Sequence, residues 1–220
     1  MSVANAPKLI EPRWPIILVI VTLGILLSLL PDRVRAFPSW FPYLVAIAMI
    51  VPMTALALTT AKARWLLIES VVTWLFFVIA GFGMVDQLTH LLSAMVRHSA
   101  EVTGLQLLTS SISVWATNVF TFAIAYWRTD RGGPEARANH ASGKPDWLFP
   151  QQGVPQDVPP DWRPMFIDYL FLSFCTATAF SPAEAQPLTA RAMVLLMLES
   201  IISLITVVAV ASRAINILGS

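Results

Sequence analysis

The sequence predicts an all-α, polytopic membrane helix bundle of five spans plus a short re-entrant helix, and three observations predict it. The 220 residues are 56% hydrophobic and only 12% charged, a balance that a soluble domain of this size would struggle to keep in solution. Long apolar runs recur along the chain, each bounded by charges, prolines or tryptophans. A further apolar stretch, Met165 to Phe180, is too short to cross. Its helix would rise ~24 Å at ~1.5 Å per residue, against a hydrocarbon thickness of ~30 Å. It is therefore expected to dip in and turn back, which non-helical backbone tolerates at that depth only where protein or water satisfies its peptide groups. One integral membrane domain is expected over residues 1–220, with a four-span bundle over 1–127, a Pro-rich loop over 128–163, and the re-entrant helix, turn and final span over 164–220.

Lys8 and Arg13 precede the apolar run Ile16 to Leu30, which Pro31-Asp32-Arg33 closes. The run is long and no small-residue cleavage site follows, so it reads as the first span, about Trp14 to Leu30, rather than a signal peptide. The second span is expected at about Trp40 to Thr60, the third at Trp65 to about Val85, and the fourth at about Gly104 to Trp127. Trp14, Trp40, Trp65 and Trp127 thus fall at span ends, where an amphipathic ring prefers the headgroup zone. Between the third and fourth spans, Met84, Val85, Leu88, Leu91, Leu92, Met95 and Val96 recur at three- and four-residue steps opposite a polar face. This segment reads as an interfacial helix or as an extension of the third span. Arg128 to Arg163 carries charges of both signs, glycines and many prolines, and predicts an irregular surface loop. The last span follows Pro187 and runs to about Leu218.

Polar residues inside these apolar runs are the candidates for function. Glu199 lies ~16 Å into the last span by helical rise, near mid-bilayer, and shares one helix face with Ser203, Thr206 and Arg213. An ionised carboxylate there costs roughly 2.5 to 3.5 kcal/mol even on lenient scales, so it must face the bundle, find donors or hold a proton. Candidate donors are the hydroxyls of Thr176 and Thr178 and the amides of the adjacent turn. Two readings stay open: Glu199 braces that turn and tunes cation occupancy, or it is a protonated acid satisfied by Ser203 or a neighbouring helix. Glu69, a few residues inside Trp65, is expected to snorkel toward the interface beside Lys62 and Arg64. Asp168, near the start of the short helix, suits the helix dipole. Gln106, Ser110, Ser113, Thr117 and Thr121, with Asn118 beside them, form a stripe on the fourth span that serves helix packing or lines an aqueous path.

Other chemistry is excluded or weakly supported. The single cysteine, Cys175, allows no internal disulfide, and it makes no zinc spacing with the three histidines. His90 and His98 read as a solvated face. Gly132-Gly133-Pro134 lacks the strand and helix context of a phosphate loop. No nucleophile stands with a base, so no enzyme activity, cofactor or metal is expected. A net charge of +1 gives no reason to expect nucleic acid.

The run Asp168-Tyr169-Leu170-Phe171-Leu172-Ser173-Phe174-Cys175-Thr176-Ala177-Thr178-Ala179-Phe180-Ser181-Pro182, followed by Pro187-Leu188-Thr189 and Glu199, resembles the pore helix, filter and inner helix of two-helix potassium-channel pore domains. It also resembles an uncharacterised family of bacterial multi-pass membrane proteins. The resemblance covers the last quarter of the chain. It implies that Thr176, Ala177, Thr178, Ala179, Phe180 and Ser181 occupy the place of a filter, with Glu199 as an intramembrane acid behind it and Ser203 and Thr206 as a supporting polar face. Ala179 and Ser181 stand where glycines would turn consecutive carbonyls toward an ion, so the implied filter is degenerate and potassium selectivity altered or lost. The expected function is permeation of ions or small solutes, with the lipid bilayer and monovalent cations as partners, in a bacterial inner membrane. A homo-oligomer is expected, because one short helix per chain encloses no path. A non-conducting scaffold or accessory subunit is the alternative, and a six-span version in which Met165 to Phe180 crosses thinned lipid also stands. The positive-inside rule places the amino terminus and the 128–163 loop in the cytoplasm, whereas the channel resemblance implies a pore helix that approaches from outside.

Overall fold

A computed structural model describes residues 11–28, 37–58, 62–96, 104–138, 144–154, 156–160, 162–178 and 185–218. Seven helices carry these residues: α1 (Trp14–Ser28), α2 (Phe41–Leu58), α3 (Lys62–Val96), α4 (Gly104–Thr129), α5 (Pro134–Ala138), α6 (Phe166–Thr178) and α7 (Ala190–Leu218). A two-residue strand β1 (Trp147–Leu148) pairs antiparallel with β2 (Gln186–Pro187). The fold class is all-α, as composition predicts. Three stretches, Phe41–Leu58, Ala63–Thr89 and Ala190–Ala209, are long and apolar enough to cross a membrane, while Trp14–Ser28 and Phe166–Thr178 are shorter apolar helices.

The amphipathic segment after Val85 continues α3 without a break to Val96, since neither proline nor glycine interrupts it after Gly83. The fourth predicted span becomes the central helix. From Val114 to Trp127 nearly every side chain of α4 is buried, because α1, α3, α6 and α7 all pack against it. Its alanines and hydroxyl residues let those neighbours approach closely. A helix covered by protein on most sides has less need of a uniformly apolar surface, and α4 is less apolar than α2 or α7.

Side-chain bonds settle which ends meet. Arg13, before α1, joins Glu69 at the start of α3 and Glu135 in α5. Arg191, at the start of α7, reaches the carbonyl of Thr129 at the end of α4. Tyr169, in the first turn of α6, reaches Asp130. The starts of α1, α3, α6 and α7 and the end of α4 therefore share one end of the bundle. Along α6 and α7, Ser173 meets Glu199 and Ala177 meets Ser203, so these two helices run parallel.

The 128–163 segment departs from the irregular surface loop its composition predicts. Beyond α4 the chain reverses through a 3-10 turn, Asp130–Gly132, in which Arg131, Gly132 and Gly133 take φ of 53, 83 and 103. Gly133 is required here: a Cβ would stand 3.2 Å from the carbonyl of Arg128, in a backbone region that only glycine enters freely. Gly132-Gly133-Pro134 is thus a turn that opens α5. Trp147 then inserts fully into the core between Tyr126 and Tyr169, and Phe149 stacks edge-on against Tyr169 and Trp162. The loop contributes core, which is why its backbone is ordered into α5, β1 and a second 3-10 turn, Pro150–Gly153.

Candidate functional site

Glu199 is fully buried where α4, α6 and α7 meet. Its carboxyl oxygens meet the hydroxyls of Tyr126 on α4 and Ser173 on α6; the Ser173 hydroxyl also lies 2.7 Å from the Val119 carbonyl, and with one proton it donates to only one of the two. Asn118 donates to its backbone carbonyl at 3.2 Å. The α7 face that carries it is buried throughout, with Ser203 donating to the carbonyl of Ala177 and Thr206 to Ile202 of its own helix. Thr206 therefore lies on the same internal face, one turn beyond Ser203 and two beyond Glu199. Among the described residues no cationic side chain pairs with the Glu199 carboxylate. A hydroxyl donor to a carboxylate is worth ~1.5 to 3 kcal/mol against a mid-membrane penalty of ~2.5 to 3.5 kcal/mol, so neutral donors offset much of the cost of the buried acid.

Of the expected donors, the Thr176 and Thr178 hydroxyls are not the ones used, and the amides of the turn after Thr178 lie outside the described residues. Thr176 and Thr178 lie in the last turn of α6 and donate to the carbonyls of Leu172 and Phe174, since a helical hydroxyl reaches its own i−4 carbonyl more readily than a side chain on another helix. Thr176 also neighbours the Tyr126 hydroxyl. Ala177 is buried, and its carbonyl accepts from Ser203. Ala179, Phe180 and Ser181, the remaining filter-like positions, lie outside the described residues. Tyr126 and Ser173 were missed from sequence. Ser173 is the eighth residue of the apolar helix α6, and Tyr126 is an ordinary interfacial tyrosine by position, so only the crossing of α4, α6 and α7 identifies them.

Several polar atoms around this centre remain without partners. Asn118 Oδ1, Thr121 Oγ1, Gln87 Oε1 and Trp147 Nε1 are buried and make no hydrogen bond among the described residues. Thr121 and Gln87 both line an apolar cavity of about 70 Å³ between α1, α2, α3 and α4. Buried polar atoms left in this state are sites for water. The α4 stripe therefore faces protein, with Thr117 bonded to Ser113 and Asn118 and Thr121 each keeping an acceptor free. Gln106, the first residue of the predicted stripe, and Arg213 have side chains outside the description.

A second polar layer closes the end of the bundle above Glu199. Arg13 makes a two-pronged pair with Glu69 at 3.1 and 3.4 Å, with both side chains buried. Glu69 thus does not snorkel to the interface: Arg13 brings the compensating charge to it. Glu11 accepts from Trp127 Nε1 at 2.9 Å and from Arg137 at 3.2 Å. Arg137 also donates to the carbonyls of Trp127 and Asp130, and Arg13 and Arg137 lie over the Trp127 and Tyr169 rings at 5.1 and 5.0 Å. Asp130 accepts from Tyr169 at 2.6 Å and from the amide of Asp146 at 2.8 Å. Asp146 accepts from Thr189 and twice from Arg191. Burial pushes the Asp146 carboxyl up, but the hydrogen bonds from Arg191 and Thr189 and the Arg191 charge outweigh it and leave the group below the usual carboxylate range. Asp168 accepts from the Met165 amide at 2.8 Å, the helix-start role its position predicts.

Comparison with protein families, with curated proteins and with solved structures finds no match to this chain.

Proposed function

We propose that this chain is a multi-pass membrane protein that passes protons or monovalent cations, with Glu199 as the group that takes them up inside the membrane and α6 as a re-entrant helix. The observation that carries the proposal is a fully buried carboxyl group on a long apolar helix, met by neutral hydroxyls with no cationic side chain against it among the described residues. An acid kept at that depth without a fixed countercharge is completed by a mobile one. The unpaired acceptor of Asn118, whose amide nitrogen donates to the Glu199 carbonyl, supplies a polar neighbour for it.

Re-entrance is supported by the parallel course of α6 and α7. Both helices begin at the end closed by Asp130 and Asp146, and both run away from it, so the chain must return to that end between Thr178 and Ala190. Eleven residues separate Thr178 from Ala190, and extended chain of that length reaches ~36 Å, enough to retrace the ~20 Å rise of α6. Five spans, α1 to α4 and α7, then flank one helix that enters and leaves on the same side. A homo-oligomer in a bacterial inner membrane is part of the same reading.

Purified protein in liposomes tests this. Imposed proton, sodium and potassium gradients should each be assayed, and at least one should dissipate faster than in empty vesicles. Glu199→Gln should abolish that flux while the protein still folds. Tight vesicles under all three gradients would overturn the proposal. A non-conducting scaffold is the second reading, favoured by the hydroxyls of Thr176 and Thr178 being spent on their own helix. Constant co-purification of one partner protein, with tight vesicles, would establish it.

A further inference from the structure

A groove of about 940 Å³ opens along the side of the bundle between α3 and α7, with α4 as its floor. Its walls are apolar: Trp74, Phe77 and Val85 from α3 face Val194, Leu198 and Ile202 from α7. From Ser70 to Leu88 the α3 wall extends ~27 Å by helical rise, and one leaflet of hydrocarbon is only ~15 Å deep, half the ~30 Å core. Gly81 leaves the middle open, for a Cβ there would meet nothing within 4 Å.

The mouth of the groove has a different chemistry. Arg128, Thr129, Gly132, Ala190 and Arg191 form it, at the end of the bundle where the loop packs. Arg191 is held in a fixed orientation by two bonds to Asp146 and one to the Thr129 carbonyl. Its side chain is still 56% exposed, and Nη1 has no partner among the described residues. Arg128 makes a long contact of 3.4 Å to Glu135. The amino-terminal end of α7, whose dipole favours anions, lies at the same mouth. Asp146 and Glu135 stand behind the two arginines, so they orient the guanidinium groups and also reduce the net positive charge.

We propose that this groove binds an anionic phospholipid, its phosphate between Arg128 and Arg191 and one acyl chain laid between α3 and α7. The shape admits a chain; the exposed Arg191 guanidinium, fixed in orientation with Nη1 open, and the amino-terminal end of α7 favour the phosphate of a net-negative lipid. Planar guanidinium groups suit phosphate because two donors can engage two oxygens. Basic pockets between helices recognise anionic headgroups on the same physical grounds. This site is separate from Glu199 and stands whether or not the chain conducts.

The test is native mass spectrometry of the delipidated full-length protein with dioleoyl phosphatidylglycerol, dioleoyl phosphatidylcholine and glycerol phosphate. Phosphatidylglycerol should be retained about tenfold more tightly than phosphatidylcholine, equivalent to ~1.4 kcal/mol, and glycerol phosphate should not bind. Arg128→Gln and Arg191→Gln should remove the preference. Gly81→Leu, which fills the groove without meeting backbone, should cut phosphatidylglycerol binding at unchanged thermal stability. Equal retention of the two lipids, binding indifferent to Gly81→Leu, or equal binding of glycerol phosphate would overturn the proposal and mark the contacts as annular lipid or a free-phosphate site. Because Arg191 also binds Asp146, Arg128→Gln and Gly81→Leu decide the matter if Arg191→Gln fails to fold.

Discussion

At the scale of single residues, the buried charges divide into two kinds. Glu69 has a full countercharge in Arg13, so removing Arg13 strands an acid in the bundle. Arg13→Ala should destabilise the protein by ~3 to 5 kcal/mol, measured by thermal unfolding in detergent, and replacing Glu69 with a leucine in the same chain should recover much of that loss. Glu199 has only hydroxyl donors. Tyr126→Phe and Ser173→Ala should each cost ~1 to 3 kcal/mol, and both should lower any flux that Glu199→Gln abolishes. Asp146 carries the pH response outside the membrane helices. Its folded pKa lies below its ordinary value of ~3.9. The stabilisation is therefore complete above that ordinary value and is lost as pH falls through the depressed one. Stability contributed by this group should be flat from neutral pH down to about 5 and should fall below about 4. Asp146→Asn should lower stability at neutral pH and flatten the acid limb.

At the scale of elements, the segment between α4 and α6 carries more of the fold than its composition suggests. Trp147 is enclosed by Tyr126 and Tyr169, and β1 ties that point to β2 just ahead of α7, with the Leu188 amide donating to the Asp146 carbonyl at 2.7 Å. Trp147→Ala should cost ~3 to 5 kcal/mol, an effect expected of a core side chain and not of a surface loop. Helix ends were legible in the sequence to within a few residues: α1 begins at the predicted Trp14, α4 at Gly104, and α7 three residues after Pro187. The amphipathic stretch after Val85 was legible as helix, but periodicity alone does not say whether a helix lies on a membrane or continues one. The strand at Trp147 had no period to reveal it, because two residues are fewer than one alternation can establish.

At the scale of the whole molecule, the prediction that separates the five-span reading from its rivals is topological. Lys144 and Gln186 are both exposed and stand on the two sides of the β1 and β2 pairing, while the native Cys175 is buried. Lys144→Cys and Gln186→Cys should both react with a membrane-impermeant maleimide from the same face of oriented vesicles. Labelling from opposite faces would mean that the segment containing α6 crosses. What the sequence determined by itself was the solvent of the protein: 56% hydrophobic residues with long apolar runs leave a bilayer as the surrounding medium, and hydropathy is a local property that needs no partner. It also marked Glu199 as internal, because a charge amid apolar residues on one helix face has few alternatives. Which groups hold that acid was decided only by tertiary structure. Tyr126 and Ser173 lie 73 and 26 residues from Glu199, and hydrogen bonding depends on where three helices cross, a relation between distant segments that no local pattern encodes.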